Sequence, residues 1–214
     1  MRNLILGIIA VILFIMFLAP GLNNLIERSL FAWALKFACL KSKNMKLIPR
    51  SSKWLWGRTS GDTSDFHLVV GDTLYIVKIC SVYKVLTYFT FESAVLWKKY
   101  NYHRMGGFGG TSRAPKELCL NITFDLAKEK KEAEAKLIGK SSIEHVETVL
   151  LFCPKALSYN IKIGEEMITA EPKGDAVFGS LLFEHETFVK IMKQKSKTSK
   201  TQEVDDACLT TLKQ

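Results

Sequence analysis

The sequence predicts an α+β protein, with an N-terminal transmembrane helix followed by a single soluble domain that has a mostly antiparallel sheet and flanking helices. Three observations predict it. Residues 4–22, LILGIIAVILFIMFLAPGL, carry no charged side chain. Short β-branched and aromatic runs broken by Gly, Asp and Pro fill much of 61–170, the pattern of strands joined by turns. Two charged stretches, 125–140 and 184–193, carry apolar residues at helical spacing.

The apolar run comes first. At about 1.5 Å rise per residue it reaches roughly 28 Å, close to the hydrocarbon thickness of a bilayer. Pro20 and Gly21 stand at its end, where breaking a helix is cheap. The alternative is a cleaved secretory signal. Against it, the run exceeds about 15 residues, and no small-x-small site precedes Pro20. Arg2 precedes the run, whereas Arg28, Lys36, Lys41 and Lys43 follow it. The positive-inside bias therefore puts the C-terminal side in the cytoplasm.

Residues 25–40, LIERSLFAWALKFACL, form a helix with a broad apolar face interrupted by Glu27, Arg28 and Lys36. It is short and charged for a second span, and is expected to lie in the membrane interface with Trp33 at headgroup depth. The alternatives are the first helix of the soluble core, or a second span closing a hairpin. Residues 41–60 hold six cations and no anion: Lys41, Lys43, Lys46, Arg50, Lys53 and Arg58. Such a juxtamembrane segment attracts anionic lipid at about 1 kcal/mol per cation, and also serves as a solvated linker. These residues and Trp33 are the expected membrane-interface set.

The chain thus divides into an anchor (1–22), an interfacial helix with a basic linker (23–60), an α+β domain (61–192) and a polar, disordered tail (193–214). Strands are expected at Phe66–Val70, Leu74–Cys80, Val85–Phe91 and Val146–Cys153, with a hairpin of Tyr159–Ile163 and Met167–Ala170. Residues 92–100 are ambiguous between helix and strand, and Gly106–Gly110 marks a loop.

The net charge of +9 suggests nucleic acid, but its distribution argues otherwise. Residues 61–192 carry 16 cations and 17 anions, so the domain has no general excess of positive charge for phosphates. Five cysteines, an odd number without a CxxC pair, give no disulfide framework. Asn121-Ile-Thr123 matches a glycosylation sequon. Gly106-Gly-Phe-Gly-Gly110 lacks the GK[ST] of a phosphate loop. His67, His103, His145 and His185 are scattered. Glu144-His145-Val-Glu147 and Glu184-His185-Glu186 offer metal-ligand chemistry, but neither has HExxH spacing, and no metal site is expected. A composite site would need separate elements to converge. Asp175 is a turn residue on this pattern.

One string points further. Asp65 opens a strand and Lys78 lies on the next, in DFHLVVGDTLYIVK. This resembles the heart of the restriction-endonuclease-like fold, in which an Asp opens one strand and acid-x-Lys ends the next. The resemblance implies that Asp65 is a carboxylate ligand for Mg²⁺ and Lys78 the catalytic lysine. The second acid's position holds Ile76, so Asp72 or Glu92 would have to replace it. The structural alternative is an edge hairpin with Lys78 reaching outward. More broadly, the anchor together with TSDFHLVVGDTLYIVKI, VLLFCPKALSYNIKIG and GDAVFGSLLFEHETFVKIM is similar to a family of uncharacterised membrane-anchored proteins of Gram-positive bacteria, which implies one continuous fold over 1–192 and no particular activity.

The expected function is a membrane-tethered binding or scaffold module, cytoplasmic and without a cofactor. Its partners are anionic lipid and a protein, with no nucleic acid. The alternative is a metal-dependent nuclease-like enzyme using Asp65, Lys78 and Mg²⁺.

Overall fold

A computed structural model describes residues 25–50, 64–80, 87–93, 96–101, 116–119, 122–139 and 141–199. Among these, residues 25–41 are helical (α1). Three strands follow: β1 (Met45–Pro49), β2 (Phe66–Val70) and β3 (Thr73–Cys80). Next come β4 (Thr87–Phe91), β5 (Leu96–Asn101), β6 (Lys116–Cys119) and α2 (Ile122–Leu137). The chain continues with β7 (His145–Phe152), β8 (Ser158–Ile163), β9 (Glu166–Thr169), β10 (Lys173–Val177), β11 (Ser180–Glu184) and α3 (His185–Thr198).

These strands make two sheets. The larger has six strands in the order β1-β2-β3-β7-β11-β10, and the smaller has five in the order β6-β5-β4-β8-β9. Both are mixed, which corrects the mostly antiparallel sheet expected from the sequence. β1, β2 and β3 form an antiparallel meander, but β3 and β11 both run parallel to β7, and β4 runs parallel to β8. The reason lies in β7. Its sequence, HVETVLLF, is buried along nearly its whole length, and a central strand covered on both faces suits parallel neighbours. Apolar content shows such a strand but not its direction.

The large sheet has a core on each face. On one, Phe31, Leu35 and Ala38 of α1 and Phe188 and Met192 of α3 meet Phe66, Leu68, Tyr75, Val77 and Phe183. The Phe183 and Phe188 rings stand edge to face at 5.4 Å. On the other, Leu126, Ala133 and Leu137 of α2 join Leu74, Ile76 and Leu150. There Phe152 meets Phe89 and Tyr159 of the smaller sheet, each at 4.9 Å between ring centroids.

Three expectations about boundaries change. Residues 45–49 are not linker: β1 pairs with β2 from Met45↔Val70 to Pro49↔Phe66. Residues 193–198 are not tail: α3 continues to Thr198, Ser196 is buried, and Asn44 Nδ2 donates to the Ser196 carbonyl at 3.1 Å. β3 is not an edge strand, since it lies between β2 and β7. Residues 92–100 resolve toward a strand, β5. Among the described residues no helix is long and apolar enough to cross a membrane. The Phe31–Leu35–Ala38 face of α1 is used inside the fold. The span expected over 4–22 lies outside the described residues, as do Lys53, Arg58, His103, the Gly106–Gly110 loop and Asn121.

Candidate functional site

Asp65 immediately precedes β2, and Lys78 lies near the end of the antiparallel β3. The register Phe66↔Val77 brings them together. Lys78 Nζ stands 3.8 Å from Asp65 Oδ2, so the structure joins the two residues that the sequence singled out. Their setting differs from the outward-reaching lysine of the structural alternative: Asp65 is 2% exposed and Lys78 5%. Asp65 Oδ2 also accepts the Ile79 backbone N–H at 2.6 Å. Ile76, at the expected position of a second acid, is fully buried in the apolar core.

A second polar group adjoins this pair along the chain. Glu129 of α2 accepts from Arg50 Nη1 at 2.6 Å and from Ser64 Oγ at 2.8 Å, and lies 2.8 Å from His67 Nε2. Burial would raise the Glu129 carboxyl. The hydrogen bonds from His67 and Ser64, with the charges of His67 and Arg50, outweigh it and hold the group below its ordinary value. Ser64, His67 and Glu129 are not a hydrolytic triad. Both the hydroxyl and the carboxylate sit on Nε2, whereas a relay needs one on each ring nitrogen. His67 Nδ1 is buried without a hydrogen-bond partner among the described residues.

Arg50, one of the expected membrane-interface cations, is ion-paired to Glu129 with its side chain still partly exposed. Sequence reasoning missed Ser64, His67 and Glu129 as a group. Glu129 lies 62 residues from His67, a separation without a local signature. Asp175, expected in a turn, lies instead within β10, where its Oδ2 accepts the Glu171 N–H at 2.8 Å. His145 and His185 lie at opposite ends of the large sheet, since His145 is level with Thr73 and Glu184 with Phe152.

Thiol chemistry finds no support among the described cysteines. Burial pushes the Cys39 thiol up to about 11 and those of Cys80 and Cys153 up to about 12, with the Asp65 charge adding to the effect at Cys80. A protonated, buried thiol is a poor nucleophile. For the Mg²⁺ implied by the nuclease-like resemblance, the described residues around Asp65 offer few ligands. Asp65 belongs to no group of three convergent ligand side chains among them, and one of its oxygens already serves the Ile79 amide.

α1 shows a different kind of site. At about 100° per residue, Ile26, Leu30, Trp33, Phe37 and Leu40 fall within roughly 80° of one another. Phe31, Leu35 and Ala38 occupy the opposite side and are buried. The outward stripe is bare: Leu30 is 63% exposed, Trp33 75% and Leu40 84%. Lys36 and Lys41 border it on either side, and Lys41 Nζ lies 4.3 Å from the centre of the Phe37 ring. Comparison with protein families, characterised proteins and solved structures finds no match for this chain.

Proposed function

We propose that this chain is a membrane-tethered binding or scaffold module, held by residues 4–22 and seated on an anionic bilayer through the outer stripe of α1. The observation that carries the reading is the two-sided α1. α1 anchors its inner face in the core, while among the described residues five large apolar side chains on its outer face stay exposed. A bordering lysine on each flank matches interfacial helices, whose long cations reach the headgroups while apolar side chains enter the acyl boundary. The apolar run 4–22 ends immediately before this helix, so the tether would deliver that stripe to the lipid surface. The cytoplasmic placement of the domain rests on the lysine and arginine bias after the run.

Asp65 and Lys78 serve in this reading as a buried strut that ties the start of β2 to the end of β3. The nuclease-like alternative is favoured by their 3.8 Å approach and opposed by the apolar Ile76.

The test uses the full chain reconstituted in phosphatidylglycerol-containing vesicles, with an environment-sensitive fluorophore on Leu40→Cys or, separately, on Leu157→Cys. Both positions are exposed. The background is free of the native cysteines. Residue 40 should report an apolar, lipid-quenched environment and residue 157 a wet one. Equal, aqueous signals at both sites would overturn the seating. Incubation with DNA or RNA and Mg²⁺ or Mn²⁺ should give no cleavage; cleavage abolished by Asp65→Ala would replace the scaffold reading by the enzyme.

A further inference from the structure

We propose that Asp72, Glu144 and His145 form a binding site for a divalent transition-metal ion of the Zn²⁺, Co²⁺ or Ni²⁺ kind. The site stands at the opposite end of β3 from Asp65 and Lys78, and it is independent of the membrane reading.

The fold brings these residues together. Asp72 sits in the β2–β3 turn, after Gly71, whose φ of +61° suits glycine. Glu144 and His145 open β7, which runs parallel to β3 with His145 level with Thr73. The Asp72 carbonyl accepts the backbone N–H of Glu144 at 2.8 Å and of His145 at 3.2 Å. Both chain segments are therefore fixed at the point where their side chains emerge. One ligand atom from each of the three residues lies within 4.8 Å of the other two. Two ligands bound at about 2.1 Å to one ion stand roughly 3–4 Å apart. A rotamer adjustment of the exposed Glu144 and His145 side chains closes that difference.

The chemistry selects the ion. An imidazole beside two carboxylates favours borderline transition ions over Mg²⁺ or Ca²⁺, which prefer oxygen alone. The Thr73 hydroxyl donates to Asp72 Oδ1 at 2.9 Å; it orients the carboxylate and leaves its second oxygen for the ion, as outer partners of metal ligands do. Among the described residues, the side chains of Glu144 and His145 make no hydrogen bond or ion pair. Two carboxylates thus converge with no described cation between them, and a bound divalent ion would relieve that repulsion. Three protein ligands on an exposed surface leave further positions to water. The ion would staple the β2–β3 turn to the start of β7, across the parallel seam at the centre of the fold.

The test titrates untagged, chelator-stripped full chain in detergent with Co²⁺, followed by its visible absorption, and with Zn²⁺ by calorimetry. The expected result is saturable one-to-one uptake, unaffected by millimolar Mg²⁺, with a metal-dependent rise in the thermal unfolding midpoint. His145→Ala and Glu144→Gln should each weaken uptake roughly tenfold or more. Both positions are exposed, so the metal-free variants should unfold at the wild-type temperature. His185→Ala should bind normally. Absence of saturable uptake, or uptake retained by either His145→Ala or Glu144→Gln, overturns the site.

Discussion

The two faces of α1 can be separated by one pair of substitutions. Leu35 is completely buried against the large sheet, whereas Leu40, on the same helix, is 84% exposed. Leu35→Ala removes three carbons from the core. At about 0.8 kcal/mol per buried carbon the transfer loss is near 2.4 kcal/mol, and an incompletely collapsed cavity brings the cost to about 3–4 kcal/mol. For a domain of this size, each kcal/mol moves the unfolding midpoint by about 2–4 °C, so the expected fall is roughly 6–16 °C. Leu40→Ala should change stability by less than about 0.5 kcal/mol. Near-ultraviolet circular dichroism of the full chain in detergent, recorded during heating, reads both. Equal shifts, or a larger one for Leu40→Ala, would refute the placement of α1 as an integral layer of the fold.

Three further outcomes follow from the buried polar groups and one turn. Asp65→Ala takes the carboxylate from Lys78 and the acceptor from the Ile79 amide; urea unfolding should show a loss of about 3–5 kcal/mol, and Asp65→Ala/Lys78→Met should recover part of it. The folded-state Glu129 carboxyl lies below its ordinary 4.5. Its contribution to stability is therefore present above about pH 4.5 and lost as pH falls toward the depressed folded value. Urea midpoints measured across the acid range should fall less steeply in Glu129→Gln than in the wild type. Gly71→Ala forces a left-handed conformation on a residue with a Cβ and sets that carbon against the Ser199 side chain; it should cost at least about 1–2 kcal/mol, read as a lowered thermal midpoint.

Much of the strand content was legible because period, turn residues and β-branched runs are local properties. FHLVV, LYIVKIC and VLLF are strands or parts of strands, and the hairpin around Gly164 forms as expected. Strand direction was not legible. Nothing in HVETVLLF states that its neighbours are β3 and β11, both parallel to it. β1 was hidden for another reason: MKLIP lies inside a stretch whose dominant signal is positive charge. Among the site residues, Asp65 and Lys78 were found because a two-strand hairpin is a local object. The ties of Glu129 to His67 and Ser64, and of Asp72 to Glu144 and His145, depend on the return of distant segments.

The sequence by itself determined the apolar run before the domain, the basic excess that follows it, and the near-neutral body, since composition and charge survive any arrangement of the chain. It also determined that Asp65 stands at the start of one strand and Lys78 on the next. The tertiary structure decided what those residues do. It buried the Asp65–Lys78 pair, and it paired Arg50 with Glu129. It also divided α1 into a face for the core and a face left bare. Burial and convergence arise from contacts between segments tens of residues apart, and those contacts are set by the packing of whole layers.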